Sequence, residues 1–222
     1  MYSVLAPGEQ SECGPDSEIS ESSSGDEDSG HLDAPQSPRS SALALYTRLP
    51  SPIAIPPNSI DLTYLHSFLS AAECSKLIEL SAGRFYRSVT TSGISSQRTS
   101  HSAAPSRRHP VVQAVRQRVA QLTGASDGQI ERLSVVRYEP GQQFLPHYDS
   151  RHTILPPRRW TIFAYLNDVP GGGETEFTQI GVKFKPKCGD ALFWENQADR
   201  DSFHLDGTHA GRPPLSGIKY GE

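Results

Sequence analysis

Arg137-Tyr138-Glu139-Pro140-Gly141-Gln142-Gln143-Phe144-Leu145-Pro146-His147-Tyr148-Asp149 joins two extended runs through a Pro-Gly turn. The first run, Glu131 to Tyr138, is β-prone, and the second ends in His147-Tyr148-Asp149. Residues i and i+2 of a strand project to the same face. The His147 imidazole and the Asp149 carboxylate can therefore reach one point while Tyr148 points away. A nitrogen and an oxygen ligand at that spacing form two corners of a metal site. A pair this short is common by chance, so a third ligand has to come from elsewhere.

Towards the C-terminus, β-prone runs at 160–167, 174–178, 181–185 and 190–194 are separated by Pro170-Gly171-Gly172-Gly173, Pro186 and Gly189-Asp190. Short strands at close spacing, with no helical pattern between them and no internal repeat, predict an antiparallel sandwich or barrel. Helices are expected upstream. Ser70 and Glu73 have the spacing of a capping box ahead of Leu77, Ile78 and Leu80, which predicts a helix over about 71–82. A second helix starts at Pro110 and stops before Gly124. Val111, Val112, Val115, Val119 and Leu122 form its apolar face, with Gln113, Arg116, Gln117 and Gln121 opposite. Polar residues 90–108 read as a loop or irregular edge. The fold class is mainly β with flanking helices (α+β).

Residues 1–41 carry nine acidic groups against one base, Arg39, a charge of −8. The whole chain is −4, which leaves +4 on the rest, too mild an excess to predict nucleic-acid binding. The segment is rich in Ser and nearly free of aromatics, so a disordered acidic tail is expected. Its Ser22, Ser23 and Ser24 precede Asp26-Glu27-Asp28, and the reading is a solvated tail. Residues 42–59 read as a Pro-rich linker and 60–222 as the domain, with helical support over 60–130 and the β core over 131–222. Cys13, Cys74 and Cys188 show no disulfide spacing, and Cys188 reads as a small core residue. No leader or membrane-spanning pattern is seen, so a cytoplasmic or nuclear protein is expected.

The distal end strengthens the case. His209 precedes Lys219 by ten residues in His209-Ala210-Gly211-Arg212-Pro213-Pro214-Leu215-Ser216-Gly217-Ile218-Lys219. Two His and one carboxylate with open positions make the facial triad of non-haem Fe(II) oxygenases. A metal-chelating keto acid also carries a remote carboxylate, which needs a cation in a largely dry pocket. Lys219 can supply it, and Tyr138 can add a hydroxyl.

These residues sit in segments that resemble the prolyl 4-hydroxylase family of Fe(II)/2-oxoglutarate (2OG) dioxygenases. The segments are 137–149, Arg158 to Val169, Gly172 to Phe177, Lys185 to Trp194 and the His209…Lys219 stretch, with Arg98-Thr99-Ser100 upstream. The resemblance implies a double-stranded β-helix (jelly-roll) core and hydroxylation of a proline-containing peptide or protein. It implies Fe(II), 2OG and O2, with 2OG decarboxylated to succinate and L-ascorbate keeping the iron reduced. His147, Asp149 and His209 take the metal-ligand positions and Lys219 that of the 2OG carboxylate partner. Tyr138 and Thr161 fall at co-substrate contacts. His204, five residues before His209, has the wrong spacing to Lys219. His31, His66, His101, His109 and His152 read as surface or satisfied polar groups, Glu174 and Asp190 as turn residues, and Trp160 and Trp194 as core aromatics. Arg98 reads equally as a substrate contact or a solvated loop residue.

Two departures leave alternatives open. The family strand bearing the lysine continues for several residues, whereas here three residues follow Lys219. A truncated last strand is therefore expected to leave neighbouring backbone unpaired, and an inactive metal- or peptide-binding barrel is one alternative. Ser150 to Pro157, at the expected substrate mouth, lacks the family's aromatic, so a dioxygenase acting on a non-prolyl substrate is the other. Oligomeric state is not legible.

Overall fold

The computed structural model describes residues 2–5, 38–47, 50–57, 59–90, 93–150, 156–197, 202 and 204–222. In chain order the elements are β1 (Tyr2–Leu5), α1 (Pro38–Tyr46), β2 (Leu62–Leu65), α2 (Ala71–Ser81), β3 (Tyr86–Arg87), β4 (His101–Ala103) and α3 (Pro110–Thr123). There follow β5 (Val135–Tyr138), β6 (Phe144–His147), β7 (Arg158–Ala164), β8 (Gly171–Gly172), β9 (Thr175–Phe177), β10 (Val182–Phe184) and β11 (Ala191–Glu195). The last are β12 (His209–Gly211), β13 (Pro214–Ser216) and β14 (Lys219–Gly221).

Among the described residues every strand pairing is antiparallel; three four-stranded sheets run β1-β7-β11-β2, β14-β5-β4-β3 and β10-β9-β12-β6, and β13 pairs with β8. The first two are joined where Gly221 bridges Tyr165. Period-2 alternation along β7 and β11 sorts side chains between two cores. Ile162, Ala164, Ala191 and Phe193 face Leu77, Val115, Val119 and Leu122 of the helices. Phe163, Tyr165, Leu192 and Trp194 face the β10-β9-β12-β6 sheet, packing with Phe177 and Phe184. Each such side chain removed from water contributes about 1.5–3 kcal/mol. The result is a helix-backed sheet facing a smaller one, the jelly-roll layout with a site between the sheets.

Local chemistry starts and stops the helices where the sequence predicts. Ser70 Oγ accepts from Glu73 N–H at 3.2 Å while Glu73 Oε2 accepts from Ser70 N–H at 2.8 Å, closing the capping box. Helix α3 opens with Pro110 and ends at Gly124 in the left-handed region, φ +71°. Its first turn is also capped by His109, one of the rings read as surface or satisfied polar groups: Nδ1 accepts from Val111 N–H at 3.3 Å.

Several expectations are corrected. Residues 2–5 of the expected disordered tail form β1 on the edge of β7, and Val4 is fully buried. The end of that tail and the start of the expected linker form α1. Here Ala42, Leu43 and Tyr46 pack on the helical core, and the Tyr46 and Phe68 rings lie 5.5 Å apart, edge to face. Residues 6–37 of the tail lie outside the described residues. The expected irregular edge contains β4, held between β3 and β5 by backbone pairing and by the buried Ser88–Ser102 hydroxyl contact at 2.6 Å. Arg116, expected on the solvent face of α3, is buried. Its guanidinium donates to Asp127 Oδ1 and to the carbonyls of Asp127, Ile130 and Glu131 at 2.7–2.9 Å. Strand β14 is short, but its backbone is paired on both sides. It pairs with β5, Glu222 exchanges two 2.8 Å hydrogen bonds with Ala164, and Leu166 N–H donates to Tyr220 O at 3.0 Å. Three residues suffice for this because the strand is held from two edges at once.

Candidate active site

Strand β6 ends at His147, and β12 starts at His209, its partner in the β6–β12 ladder. Asp149 lies just past the end of β6 rather than within it, in a bend, so shared strand face is not what brings it to His147. The Asp149 oxygens lie 3.6 Å from His147 Nε2 and 3.7 Å from His209 Nε2. One ligand atom from each of the three residues lies within 4.8 Å of the others. His204 stands at the start of a short 3-10 turn, outside this group.

Both imidazoles are aimed by backbone. His147 Nδ1 meets Leu145 O and His209 Nδ1 meets Gly207 O, each at 2.9 Å. A carbonyl can only accept, so each Nδ1 carries the proton and each Nε2 presents a lone pair towards the other and towards Asp149. His147 Nε2 is buried and makes no hydrogen bond. Burial lowers the His209 pKa to about 4, keeping it neutral. Burial alone would raise the Asp149 carboxyl, but His209, His147 and Arg158 together hold it below the ordinary carboxylate range. Two imidazoles aimed by backbone carbonyls and a carboxylate held in its ionised form, all within ligand reach of one another, fit a divalent cation.

Lys219 is buried and projects from β14 into a cavity it shares with His147 and His209, with Tyr138, Phe163, Thr175, Trp194 and Gly211 also on its walls. The ammonium lies 5.1–5.6 Å from the ring centroids of Tyr138, Phe163 and Tyr165. Desolvation lowers its pKa to about 7, partly offset by Glu174. Burial raises the Tyr138 phenol, which therefore remains a neutral hydroxyl. A cation ringed by aromatics, with a phenol beside it, suits a carboxylate-bearing ligand better than an empty pocket.

The structure brings His147, Asp149, His209, Lys219 and Tyr138 together. Thr161 is different. Its hydroxyl donates to Asp149 Oδ2 at 2.9 Å, which sets it against a candidate metal ligand. Thr175 lies on the cavity wall, and among the described residues its buried hydroxyl has no hydrogen-bond partner. Sequence reasoning missed it because a Thr inside Gly172 to Phe177 looks like an ordinary strand residue. Trp194, expected as a core aromatic, is buried but also lines the cavity, and Arg98 lines it too with its guanidinium 4.7 Å over the Phe144 ring. Phe144 in turn stacks on His147 at 3.4 Å between centroids. Residues 151–155 of the expected mouth, including His152, lie outside the described residues.

Residues 133–220 match the 2OG-Fe(II) oxygenase superfamily. A protein of Acanthamoeba polyphaga mimivirus bearing the prolyl 4-hydroxylase name is 29% identical over 168 residues, 70% of this chain and 69% of the relative. The human prolyl 4-hydroxylase subunit alpha-1 is 31% identical over 171 residues, 70% of this chain but only 32% of its own length. Among solved structures, the viral collagen prolyl hydroxylase of Paramecium Bursaria Chlorella virus-1, in its 2OG complex, superposes with a TM-score of 0.60 at 27% identity. That match covers 72% of this chain and 92% of the viral one. With a His-Asp-His group and a buried lysine between its sheets, the chain is similar to the 2OG-Fe(II) oxygenase superfamily over residues 133–220 and resembles prolyl 4-hydroxylases.

Proposed function

We propose that this protein is an Fe(II)- and 2OG-dependent dioxygenase that hydroxylates a peptidyl proline and decarboxylates 2OG to succinate. The observation that carries the reading is that His147 and His209, grouped with Asp149, line the same cavity as Lys219. His147, Asp149 and His209 would hold the iron, and three protein ligands would leave positions open for small molecules. The bound metal and 2OG supply the O2 activation needed to oxidise a C–H bond.

The chain's own residues do the rest. The Lys219 ammonium pairs with the remote 2OG carboxylate, with the Tyr138 and Thr175 hydroxyls available as donors. Phe163 and Trp194 keep water from the inner wall. The Arg98–Phe144–His147 stack forms the other wall, where a peptide can approach the reacting centre. Ascorbate as the reductant that restores Fe(II), and a proline-containing peptide as substrate, belong to the same reading. Incubating the purified protein with Fe(II), 2OG, ascorbate and a panel of Pro-rich peptides tests it. The expected products are a +16 Da peptide and stoichiometric succinate. Succinate release driven only by a non-peptide compound would overturn the peptidyl-proline assignment.

A further inference from the structure

Asp149 is held from behind by a chain of donors that no metal ligand explains. The Trp194 indole N–H can only donate, and it donates to Asn196 Oδ1 at 3.0 Å. That fixes which end of the Asn196 amide faces which way and turns Nδ2 towards Thr161 Oγ1, 3.0 Å away. With its oxygen accepting there, the Thr161 hydroxyl directs its proton to Asp149 Oδ2 at 2.9 Å. Each donor has one acceptor and the sequence of bonds runs one way. Thr161 is fully buried and Asp149, Trp194 and Asn196 are at most 6% exposed, so water is poorly placed to substitute for a lost member.

The same residues are anchored at the backbone. Asn196 N–H donates to Arg159 O on β7 at 2.7 Å, and Asn196 O accepts from His204 N–H at 3.1 Å. At the far end the Trp194 ring packs edge-on against His209, 4.9 Å between centroids. Asp149 and His209 are thereby tied into one circuit through Thr161, Asn196 and Trp194.

We propose that Thr161 and Asn196 are positioning residues for the metal centre, locking the Asp149 carboxylate in the orientation that faces His147 and His209. This rests on reading those three side chains as metal ligands. A carboxylate that accepts from Thr161 cannot rotate about its Cβ–Cγ bond without stranding a buried donor. The entropy of fixing the ligand is thus lost on folding rather than on metal binding.

Co(II) titration of the full chain, followed by visible absorbance and calorimetry, tests the idea without turnover. Thr161→Val removes the hydroxyl and keeps the shape; the Co(II) dissociation constant should rise about 10- to 100-fold. The cobalt absorption band should shift, and 2OG affinity at saturating Co(II) should be unchanged. Thr161→Ser should restore wild-type Co(II) affinity. Asn196→Ala, which leaves the Thr161 hydroxyl free to turn away, should weaken Co(II) by about tenfold. Should Thr161→Val not fold, as judged by its thermal melt, the Asn196→Ala protein decides. Folded variants with wild-type Co(II) affinity overturn the proposal, and weakened 2OG binding at unchanged Co(II) affinity makes Thr161 a co-substrate contact instead. Wild-type protein that takes up no Co(II) overturns the triad itself, a separate failure.

Discussion

Lys219 stands directly opposite Tyr138 in the β14–β5 ladder, and its ammonium lies 5.4 Å from the Tyr138 ring centroid. Side chains directly opposite in a ladder share a face, so one register delivers both the cation and the phenol to the cavity. On the other edge of β14, Glu222 is hydrogen-bonded to Ala164 at the end of β7 and Tyr220 to Leu166 just beyond it.

The first prediction concerns pH and 2OG. Burial lowers Lys219 to about 7, so the amine is largely neutral above that pH. A bound carboxylate favours the ammonium, so binding above pH 7 takes up a proton and weakens as pH rises from 7 to 9. Calorimetry in two buffers of different ionisation enthalpy reads that proton. Lys219→Met should weaken 2OG about 10- to 100-fold, the loss of one charge-assisted pair, and remove the proton uptake. Stability of the empty protein carries the same sign. Between pH 7 and the ordinary lysine value the unfolded chain holds a proton the folded one has released, so this group's contribution rises with pH there and is flat below. Lys219→Met should remove that slope from the pH dependence of urea unfolding.

A second prediction tests the close approach beneath the last strand. A Cβ on Gly221 would lie 2.4 Å from Phe163 Cζ. Gly221→Ala should cost about 1–3 kcal/mol by overpacking, and combining it with Phe163→Leu should recover part of that loss. Urea unfolding of the two single variants and the double measures the coupling. Additive losses would show that the two positions do not touch.

Arg116 gives the third. Its guanidinium satisfies three carbonyls and the Asp127 carboxylate at the end of α3. Arg116→Met should lower stability by about 3 kcal/mol. Arg107 meets Asp127 from the exposed side, and Arg107→Met should cost less than about 1 kcal/mol. Equal effects in thermal or urea unfolding would contradict the buried assignment of Arg116.

Legibility followed the range of the interactions. Helix α3 and the core strands were readable because Pro110, Gly124, Pro140-Gly141 and the β-prone runs act locally. The grouping of His147, Asp149 and His209 was legible in the His147-Tyr148-Asp149 motif and in the resemblance of the His209…Lys219 stretch, although Asp149 reaches it from a bend rather than from a strand face. Asn196 and Thr175 were not, since each acquires a role only when β7, β9, β11 and β12 converge. Arg116 was misplaced because helical periodicity predicts faces, and the turn at Asp127–Gln129 that covers it comes from further along the chain. Strand β4, three residues with no apolar alternation, owes its pairing to neighbours on both sides. Ala42 to Leu45 were read with the prolines around them, although Ala and Leu are good helix formers with α3 to pack on.

The most direct test of the triad and its lysine is anaerobic. When a keto acid chelates Fe(II) through its carboxylate and keto oxygen, a visible metal-to-ligand charge-transfer band appears. Wild-type protein with Fe(II) and 2OG should develop this band, Asp149→Ala and His209→Ala should lose it, and Lys219→Met should need far more 2OG to reach it. A full-strength band in Asp149→Ala or His209→Ala, or none in the wild type, would contradict the account.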